Sequence, residues 1–124
     1  MGDEGWQGNG PAGPDLLRCP QVQLALLLRE AGVMFTIVGG TARFLLGAPR
    51  RPRDLDVVVQ SGNLPALCAA LALRGGRRSP LRSAHPSPQR VSTAWSKVDV
   101  FVQDAVPACI DVVIDGVIVQ VASD

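Results

Sequence analysis

The chain has 124 residues, 47% of them hydrophobic and only 4% aromatic, which predicts one domain with a mainly aliphatic core. No apolar run of about 18 residues is present and no basic segment opens the N-terminus, so neither a membrane span nor a secretory signal is predicted. Cys19, Cys68 and Cys109 are an odd number at wide spacing, unlike a disulfide framework or a zinc site. We therefore expect reduced thiols in a cytoplasmic protein.

The net charge of +1 is unevenly distributed. Between Arg43 and Lys97 there are ten basic residues and only two acidic ones, Asp54 and Asp56, a local excess of eight positive charges. Such asymmetry favours an anionic partner, either a nucleotide or a nucleic acid. The alternative is a solvated surface whose arginines only maintain solubility.

Residues 1–14 are rich in Gly and Pro and predict a flexible N-terminal segment before a domain at 15–124. Apolar residues at helical spacing, with glycine stops, predict the first and third helices, and a short helical pattern closed by glycine predicts the second. Ser61 or Asn63 is expected to cap the third helix. The predicted helices are Pro20–Ala31, Thr41–Leu46 and Asn63–Arg74.

Strands are predicted from short apolar runs: Val33–Val38, Leu55–Gln60, Val98–Gln103, Ile110–Ile114 and Val117–Val121. The first is almost wholly apolar and is expected at the centre of the sheet. Asp115-Gly116 predicts a two-residue hairpin turn. Further short strands are expected near Arg77-Arg78 and Arg90–Thr93. The fold class is α/β (α+β), a small mixed sheet with its helices on one face.

Two carboxylates, Asp54 and Asp56, stand at the start of the second strand. Alternation puts them on one face about 6 to 7 Å apart, where they repel unless a cation lies between them. Mg²⁺ usually binds one or two such carboxylates together with substrate phosphates. If Asp99 lies on a neighbouring strand, three carboxylates hold two ions in the geometry of phosphoryl transfer.

Other carboxylates compete with Asp99 for the third position. Asp115 is explained by its turn, and Asp104 lies beyond a strand end. Asp111 begins a strand and is the serious rival.

Gly39-Gly40 precedes the short helix and offers backbone that a phosphate can approach closely. The start of that helix, the Thr41 hydroxyl and Arg43 could add donors. Gly-Gly alone is usually a turn, and Asp-x-Asp occurs by chance on surface strands. Together, at this spacing and on apolar strands, they favour a nucleotide site. No Gly-Lys-Ser/Thr follows, so the loop is not a Walker loop.

The segments Val38–Arg43 (VGGTAR) and Arg53–Val57 (RDLDV) resemble the signature of the DNA polymerase β nucleotidyltransferase superfamily. Asp99 falls where that family's third carboxylate is expected. The segment Gly39–Gly47 is similar to the head of tRNA CCA-adding enzymes, whose further motifs are absent here. The tail from Val98 onward looks more like the small bacterial nucleotidyltransferases of abortive-infection and toxin–antitoxin systems.

This resemblance implies an Mg²⁺-dependent transfer of a nucleoside monophosphate from a nucleoside triphosphate to an acceptor hydroxyl on RNA, protein or a small molecule. Asp54 and Asp56 would bind Mg²⁺ and the triphosphate, and Asp99 would bind a second ion and help deprotonate the acceptor. Phosphate contacts would come from the glycine turn and its neighbours: Gly39, Gly40, Thr41, Arg43 and Arg53. The family usually has Ser at the position of Gly40, so one side-chain donor is lost and Thr41 is expected to replace it.

The remaining sequence leaves alternatives open. His85 is expected in a loop, and Trp95 in packing rather than base stacking. Arg77, Arg78 and Arg82 either contact a phosphate or an RNA backbone or lie on a solvated edge strand. Ser123-Asp124 is typical of a helix cap and predicts a further C-terminal region or a partner chain. The alternative function is a non-catalytic nucleotide-binding or interaction module, such as one partner of a toxin–antitoxin pair. An antibiotic-modifying enzyme, acting as a homodimer, is the weakest reading.

Overall fold

The computed structural model describes residues 13–75 and 88–123 and has a six-stranded mixed sheet with α-helices. This confirms the predicted α/β fold class. The helices are α1 (Gly13–Arg18), α2 (Pro20–Glu30), α3 (Gly39–Leu45) and α4 (Leu64–Ala72), with a 3₁₀ turn at Ser61–Asn63. The strands are β1 (Thr36–Val38), β2 (Leu55–Val59), β3 (Gln89–Ser92), β4 (Lys97–Val102), β5 (Cys109–Ile114) and β6 (Val117–Ala122). Among the described helices, none is long and apolar enough to cross a membrane.

The strands lie in the order β3-β4-β2-β1-β6-β5. The central pair, β1 and β2, is antiparallel, while β2 pairs with β4 and β1 pairs with β6 in parallel. Antiparallel hairpins close both edges, β3 with β4 and β5 with β6. The predicted central position of the first strand is therefore confirmed, and β4 lies directly beside β2.

One face of the sheet carries the hydrophobic core. Leu55, Val57 and Val59 are at most 1% exposed and belong to one apolar cluster with residues from all four helices. The register places Ile37, Val100 and Val121 on this same face through their strand partners. Because side chains alternate along a strand, the intervening residues of β2 and β4 project to the opposite face.

Element boundaries differ from prediction at several points. The first strand begins at Thr36, although Val33 and Phe35 before it are still buried. Helix α1 includes Gly13 and Pro14, which were expected in the flexible segment. The rest of that segment, residues 1–12, and the predicted strand near Arg77-Arg78 lie outside the described residues. The predicted β3 and the Asp115-Gly116 turn are confirmed.

The predicted cap position of the third helix is confirmed, because Asn63 is the N-cap residue of α4. The Asn63 side chain, however, makes no capping hydrogen bond. Instead, Asp104 from the β4–β5 loop accepts hydrogen bonds from the Ser61 backbone N–H and hydroxyl, both at 2.9 Å. These two bonds lower the pKa of Asp104. A distant loop therefore satisfies the start of this helical segment, which local sequence signals do not reveal.

Candidate active site

The carboxylates meet on the sheet face opposite the core because of strand register. Asp56 on β2 is directly opposite Asp99 on β4, and Asp99 is directly opposite Arg90 on β3. Neighbouring strands lie about 4.8 Å apart, so the three residues form one row across the sheet. Asp54 precedes Asp56 by two residues. The structure thus brings together the three carboxylates that the sequence analysis selected.

Arg90 bridges two of these carboxylates. Its Nη2 donates to Asp54 Oδ2 at 2.9 Å and to Asp99 Oδ2 at 3.0 Å, while its Nε donates to Asp99 Oδ1 at 2.8 Å. The side chain of Arg90 is 49% exposed, against 30% for Asp54 and 18% for Asp99. These bonds and the carboxylate charges raise the pKa of the guanidinium, which stays cationic.

Asp56 is the least well satisfied member of the cluster. Desolvation by burial, followed by the charges of Asp99 and Asp54, raises its pKa from 3.8 to about 6. Its Oδ1 is buried and accepts no hydrogen bond from any described residue. A buried carboxylate oxygen without a donor is costly, and a cation beside it would remove that cost.

Gly39 makes room for the Asp56 carboxylate. A Cβ added to Gly39 would collide with Asp56 Oδ2 and would lie 3.2 Å from its Cγ. The φ of Gly39 is +68°, a left-handed conformation that side chains other than glycine rarely adopt. The first glycine of the pair is therefore required by the neighbouring carboxylate and by its own backbone.

A cavity of about 330 Å³ opens beside Asp54 and Asp56. Arginine side chains dominate its walls, and Arg51 lies over the ring of Phe44, with 6.0 Å between the guanidinium carbon and the ring centroid. The cavity is also lined by Ala48 and Pro52, and its remaining walls are Gly40, Arg43, Arg50, Arg51 and Arg53. Four cationic groups around a concave surface that ends at two carboxylates suit a polyanion bound together with a cation.

The arginine-rich loop is held from inside the fold. Gln21 on α2 is 7% exposed, and its Nε2 donates to the Arg53 carbonyl at 2.9 Å and to Ser96 Oγ at 3.0 Å. The amide thereby joins this loop to the β3–β4 turn. The two sides of the candidate site consequently share one buried anchor.

Thr41 differs from its expected role. Its side chain is fully buried, and its hydroxyl donates to the Asp54 carbonyl at 2.9 Å. Its contacts therefore do not support the expectation that it replaces a missing phosphate donor. Thr41 instead fixes the backbone that presents Asp54.

The rival carboxylates lie elsewhere. Asp111 is on β5, at the far edge of the sheet, with β1 and β6 between it and β2. Asp104 binds Ser61, and Asp115 occupies the β5–β6 turn with φ of 51°. Asp99 is the only one of the four that faces Asp56 across adjacent strands.

The carboxylates of Asp54, Asp56 and Asp99 are suitable ligands for a divalent cation, but their side chains are not arranged around a shared metal position. Carboxylate oxygens are the ligands that Mg²⁺ prefers, and Asp56 Oδ1 accepts no hydrogen bond from the described residues. Within residues 13–75 and 88–123, however, no three His, Cys, Asp or Glu side chains form a group that could hold a metal ion. Arg90 occupies the space between Asp54 and Asp99.

Sequence reasoning assigned no role to Arg90, nor site roles to Arg50 and Arg51. The sequence does contain a signal for Arg90. If residues 93–96 form a hairpin turn, Arg90 pairs with Asp99 across the two strands, and both side chains lie on the same face. His85 and the expected phosphate contacts at Arg77, Arg78 and Arg82 lie outside the described residues.

No protein-family model, no curated protein and no solved structure matches the chain. The resemblance to nucleotidyltransferases therefore rests on the residues themselves, and the function that it implies stays a prediction.

Proposed function

We propose that this chain is an Mg²⁺-dependent nucleotidyltransferase, which moves a nucleoside monophosphate from a nucleoside triphosphate to an acceptor hydroxyl. The observation that carries the proposal is the row of carboxylates beside a cavity walled by arginines. A triphosphate carries about four negative charges and travels with Mg²⁺, so it needs both halves of such a site. RNA, protein and small molecules remain the candidate acceptors.

The arginine cavity would take the triphosphate. Arg43, Arg50, Arg51 and Arg53 offer planar, permanently charged guanidinium groups that can bind phosphate oxygens in pairs. Gly40 lines the same cavity, and a Cβ there would meet no atom closer than 3.8 Å, so close approach of a ligand is open at this point. The polyphosphate end would then lie against Asp54 and Asp56.

The carboxylates would hold the cation and orient the reacting groups. Asp54 and Asp56 would bind Mg²⁺ on the cavity side, and Asp99 would contribute from the other side of the row. Bound Mg²⁺ would neutralise negative charge on the phosphoryl oxygens and on the leaving group. Asp99 would accept the proton from the acceptor hydroxyl while the hydroxyl oxygen bonds to the α-phosphorus. The bond between the α-phosphorus and its bridging oxygen would break, and pyrophosphate would leave.

Calorimetric titration with ATP in Mg²⁺ tests the binding half of this proposal. We expect the wild-type chain to bind ATP only with Mg²⁺ present, and the Asp54→Ala, Asp56→Ala double variant to lose that binding. Asp111→Ala is the control, because it removes an exposed carboxylate at the far edge of the sheet. Unchanged affinity in the double variant contradicts the proposal.

A second function, a nucleotide-binding or interaction module without catalysis, is favoured by one observation. Arg90 already forms ion pairs with Asp54 and Asp99, which is how a cluster without a metal ion is stabilised. Incubation with α-labelled nucleoside triphosphates, Mg²⁺ and total cellular RNA and protein separates the two. Label transferred by the wild-type chain but not by Asp99→Asn supports catalysis. Mg²⁺-independent ATP binding with no transfer supports the module.

A further inference from the structure

We infer that Arg90 is the built-in counter-ion of the carboxylate site and that a divalent cation enters only in exchange for it. The inference rests on the proposed function, since it takes the carboxylates to be the metal ligands. It adds a specificity-determining residue that decides how strongly the site binds a metal ion alone. Three features of Arg90 support this role: its position, its exposure and its link through Asp54 to the neighbouring cavity.

The first feature is that Arg90 and a divalent cation need the same oxygens. Nη2 of Arg90 lies within hydrogen-bonding distance of both Asp54 Oδ2 and Asp99 Oδ2, and Nε takes Asp99 Oδ1. Mg²⁺ coordinates carboxylate oxygens at about 2.0 to 2.1 Å, so an ion shared by these residues would lie where Nη2 now lies. The metal ion and the Arg90 guanidinium are both cations and cannot share this position, so the guanidinium must withdraw.

The second feature is that Arg90 can withdraw without unfolding the site. It projects from β3, an edge strand, and its side chain is 49% exposed. The neighbouring Val91 is 2% exposed and anchors the strand to the core through the other face. Rotation of the Arg90 side chain into solvent breaks its charge-assisted hydrogen bonds to Asp54 and Asp99, while Val91 keeps β3 anchored to the core.

The third feature is that Asp54 joins the exchange to the arginine cavity. It accepts a hydrogen bond from Arg90 and also lines the cavity that would hold the polyphosphate. A free metal ion must offset the loss of Arg90 with carboxylate ligands alone. An ion delivered with a polyphosphate brings further oxygen ligands, which are anchored by the cavity arginines. Arg90 thus makes the site select the metal–polyphosphate complex over the free ion.

Binding of Mn²⁺ alone, followed by electron paramagnetic resonance of the free ion, tests this exchange. The full chain is compared with Arg90→Gln in the absence of any nucleotide. We expect Arg90→Gln to bind Mn²⁺ about tenfold or more tightly than the wild type, because no hydrogen bonds to the carboxylates have to be broken. If Arg90 only holds the cluster together, the same variant binds Mn²⁺ equally or more weakly.

Lys97→Gln is the matched control for the lost charge. Lys97 stands two residues before Asp99 on the same face of β4, is exposed, and forms no ion pair with a described residue. Its removal changes the local potential without freeing a carboxylate, so we expect a gain in Mn²⁺ affinity of no more than about threefold. An equal gain in both variants overturns the inference, because general electrostatics then explains it.

Two further measurements separate the possible failures. Thermal denaturation shows whether Arg90→Gln is folded; if it is not, Arg90→Lys replaces it, with a smaller gain of the same sign expected, and no gain overturns the inference. Mn²⁺ titration with inorganic tripolyphosphate present tests the proposed function itself. Absence of Mn²⁺ binding to every variant under that condition overturns both. If the wild type binds Mn²⁺ with tripolyphosphate but Arg90→Gln shows no gain in affinity for Mn²⁺ alone, only the role of Arg90 is overturned.

Discussion

The Asp56 carboxylate occupies the space that a Cβ atom would need if residue 39 were anything but glycine. The glycine turn and the carboxylate strand are therefore one structural unit, although 17 positions separate them in the sequence. Gly39 begins α3 directly after Val38, the last residue of β1, and Asp56 on β2 pairs with Val38. The approach fixes the Asp56 side chain against the start of the helix.

Replacing Gly39 by Ala should lower the free energy of unfolding by about 2 to 4 kcal/mol. The new Cβ would clash with Asp56 Oδ2, and the left-handed backbone would add strain. Urea denaturation measures the loss. Gly40→Ala is the control, because its Cβ would meet nothing closer than 3.8 Å, and we expect a change of no more than about 1 kcal/mol. Equal losses in both variants would contradict this account.

Asp56→Asn should stabilise the metal-free chain above pH 6. The pKa of Asp56 is about 6 in the folded state against 3.8 in the unfolded state, so the folded state binds more protons between these values. Stability then falls as pH rises through this window, and the carboxylate is unfavourable above it. We expect a gain of about 1 to 2 kcal/mol at pH 8, after allowance for partial exposure.

Comparison of the two unfolding free energies across pH checks this sign. The advantage of Asp56→Asn should shrink as pH falls from 6 to 4 and disappear below about pH 4. Added Mg²⁺ should favour the wild type alone, because only the carboxylate gains from the cation. An advantage that stayed constant from pH 3 to pH 8 would show that ionisation of Asp56 is not its cause.

Thr41→Val should cost about 1 to 2 kcal/mol of stability and weaken the binding of ATP in Mg²⁺. The variant keeps the buried volume but removes the donor to the Asp54 carbonyl, so the backbone that presents Asp54 loses its tie. Thr41→Ser retains the hydroxyl and should bind ATP like the wild type. Denaturation and calorimetry on the pair measure both effects; equal affinities in Val and Ser variants would refute the positioning role.

Arg51→Gln should reduce the affinity for tripolyphosphate about three- to tenfold. Arg51 lines the cavity, and its guanidinium is held over the Phe44 ring, so its position is partly fixed before a ligand arrives. The loss should diminish at high salt, where exposed charges are screened. Arg18→Gln supplies the control for net charge, because Arg18 is an exposed residue of α1 and does not line the cavity. A similar loss there would point to non-specific attraction.

Asp104→Ala should lower the melting temperature at pH 7. The lowered pKa of Asp104 means that its ionised form stabilises the fold, so this contribution is present above the unfolded pKa and is lost as pH falls. The difference in melting temperature between wild type and variant should therefore narrow in acid. Ser61→Ala, which removes one of the two donors, should give a smaller decrease at pH 7. Equal sensitivity at pH 7 and in acid would exclude the charged cap.

The strands were predicted well where an apolar run or an apolar–polar alternation marked them in the sequence. Alternation and apolar runs placed β2, β4, β5 and β6 within a few residues of their observed bounds. The predicted start of the third helix at Asn63 is within one residue of the observed start of α4 at Leu64. The partner of Ser61 in the preceding turn was missed because Asp104 lies 43 residues further along the chain. Local propensity contains no information about such a partner. The first strand was predicted too long because Val33 and Phe35 are buried without pairing in the sheet.

The carboxylates of the site were predicted, as were two of the arginines that line the cavity, Arg43 and Arg53. Alternation put Asp54 and Asp56 on one face, and the resemblance to nucleotidyltransferases favoured Asp99 over its rival Asp111. The role of Arg90 depends on the hairpin register, and the role of Thr41 depends on burial, which the glycine motif alone does not determine. Arginines in an irregular loop have no periodicity, so the shape of the cavity could not be derived from spacing.

The pairing of Asp56 with Asp99 also protects the fold against its own alternatives. A slip of either strand by one residue would turn its carboxylate into the apolar layer beneath the sheet. Burying an unpaired carboxylate there costs far more than a misplaced valine. The carboxylates of Asp56 and Asp99 therefore disfavour shifted strand registers. Variants that neutralise them should form misregistered, aggregation-prone sheets more often during folding.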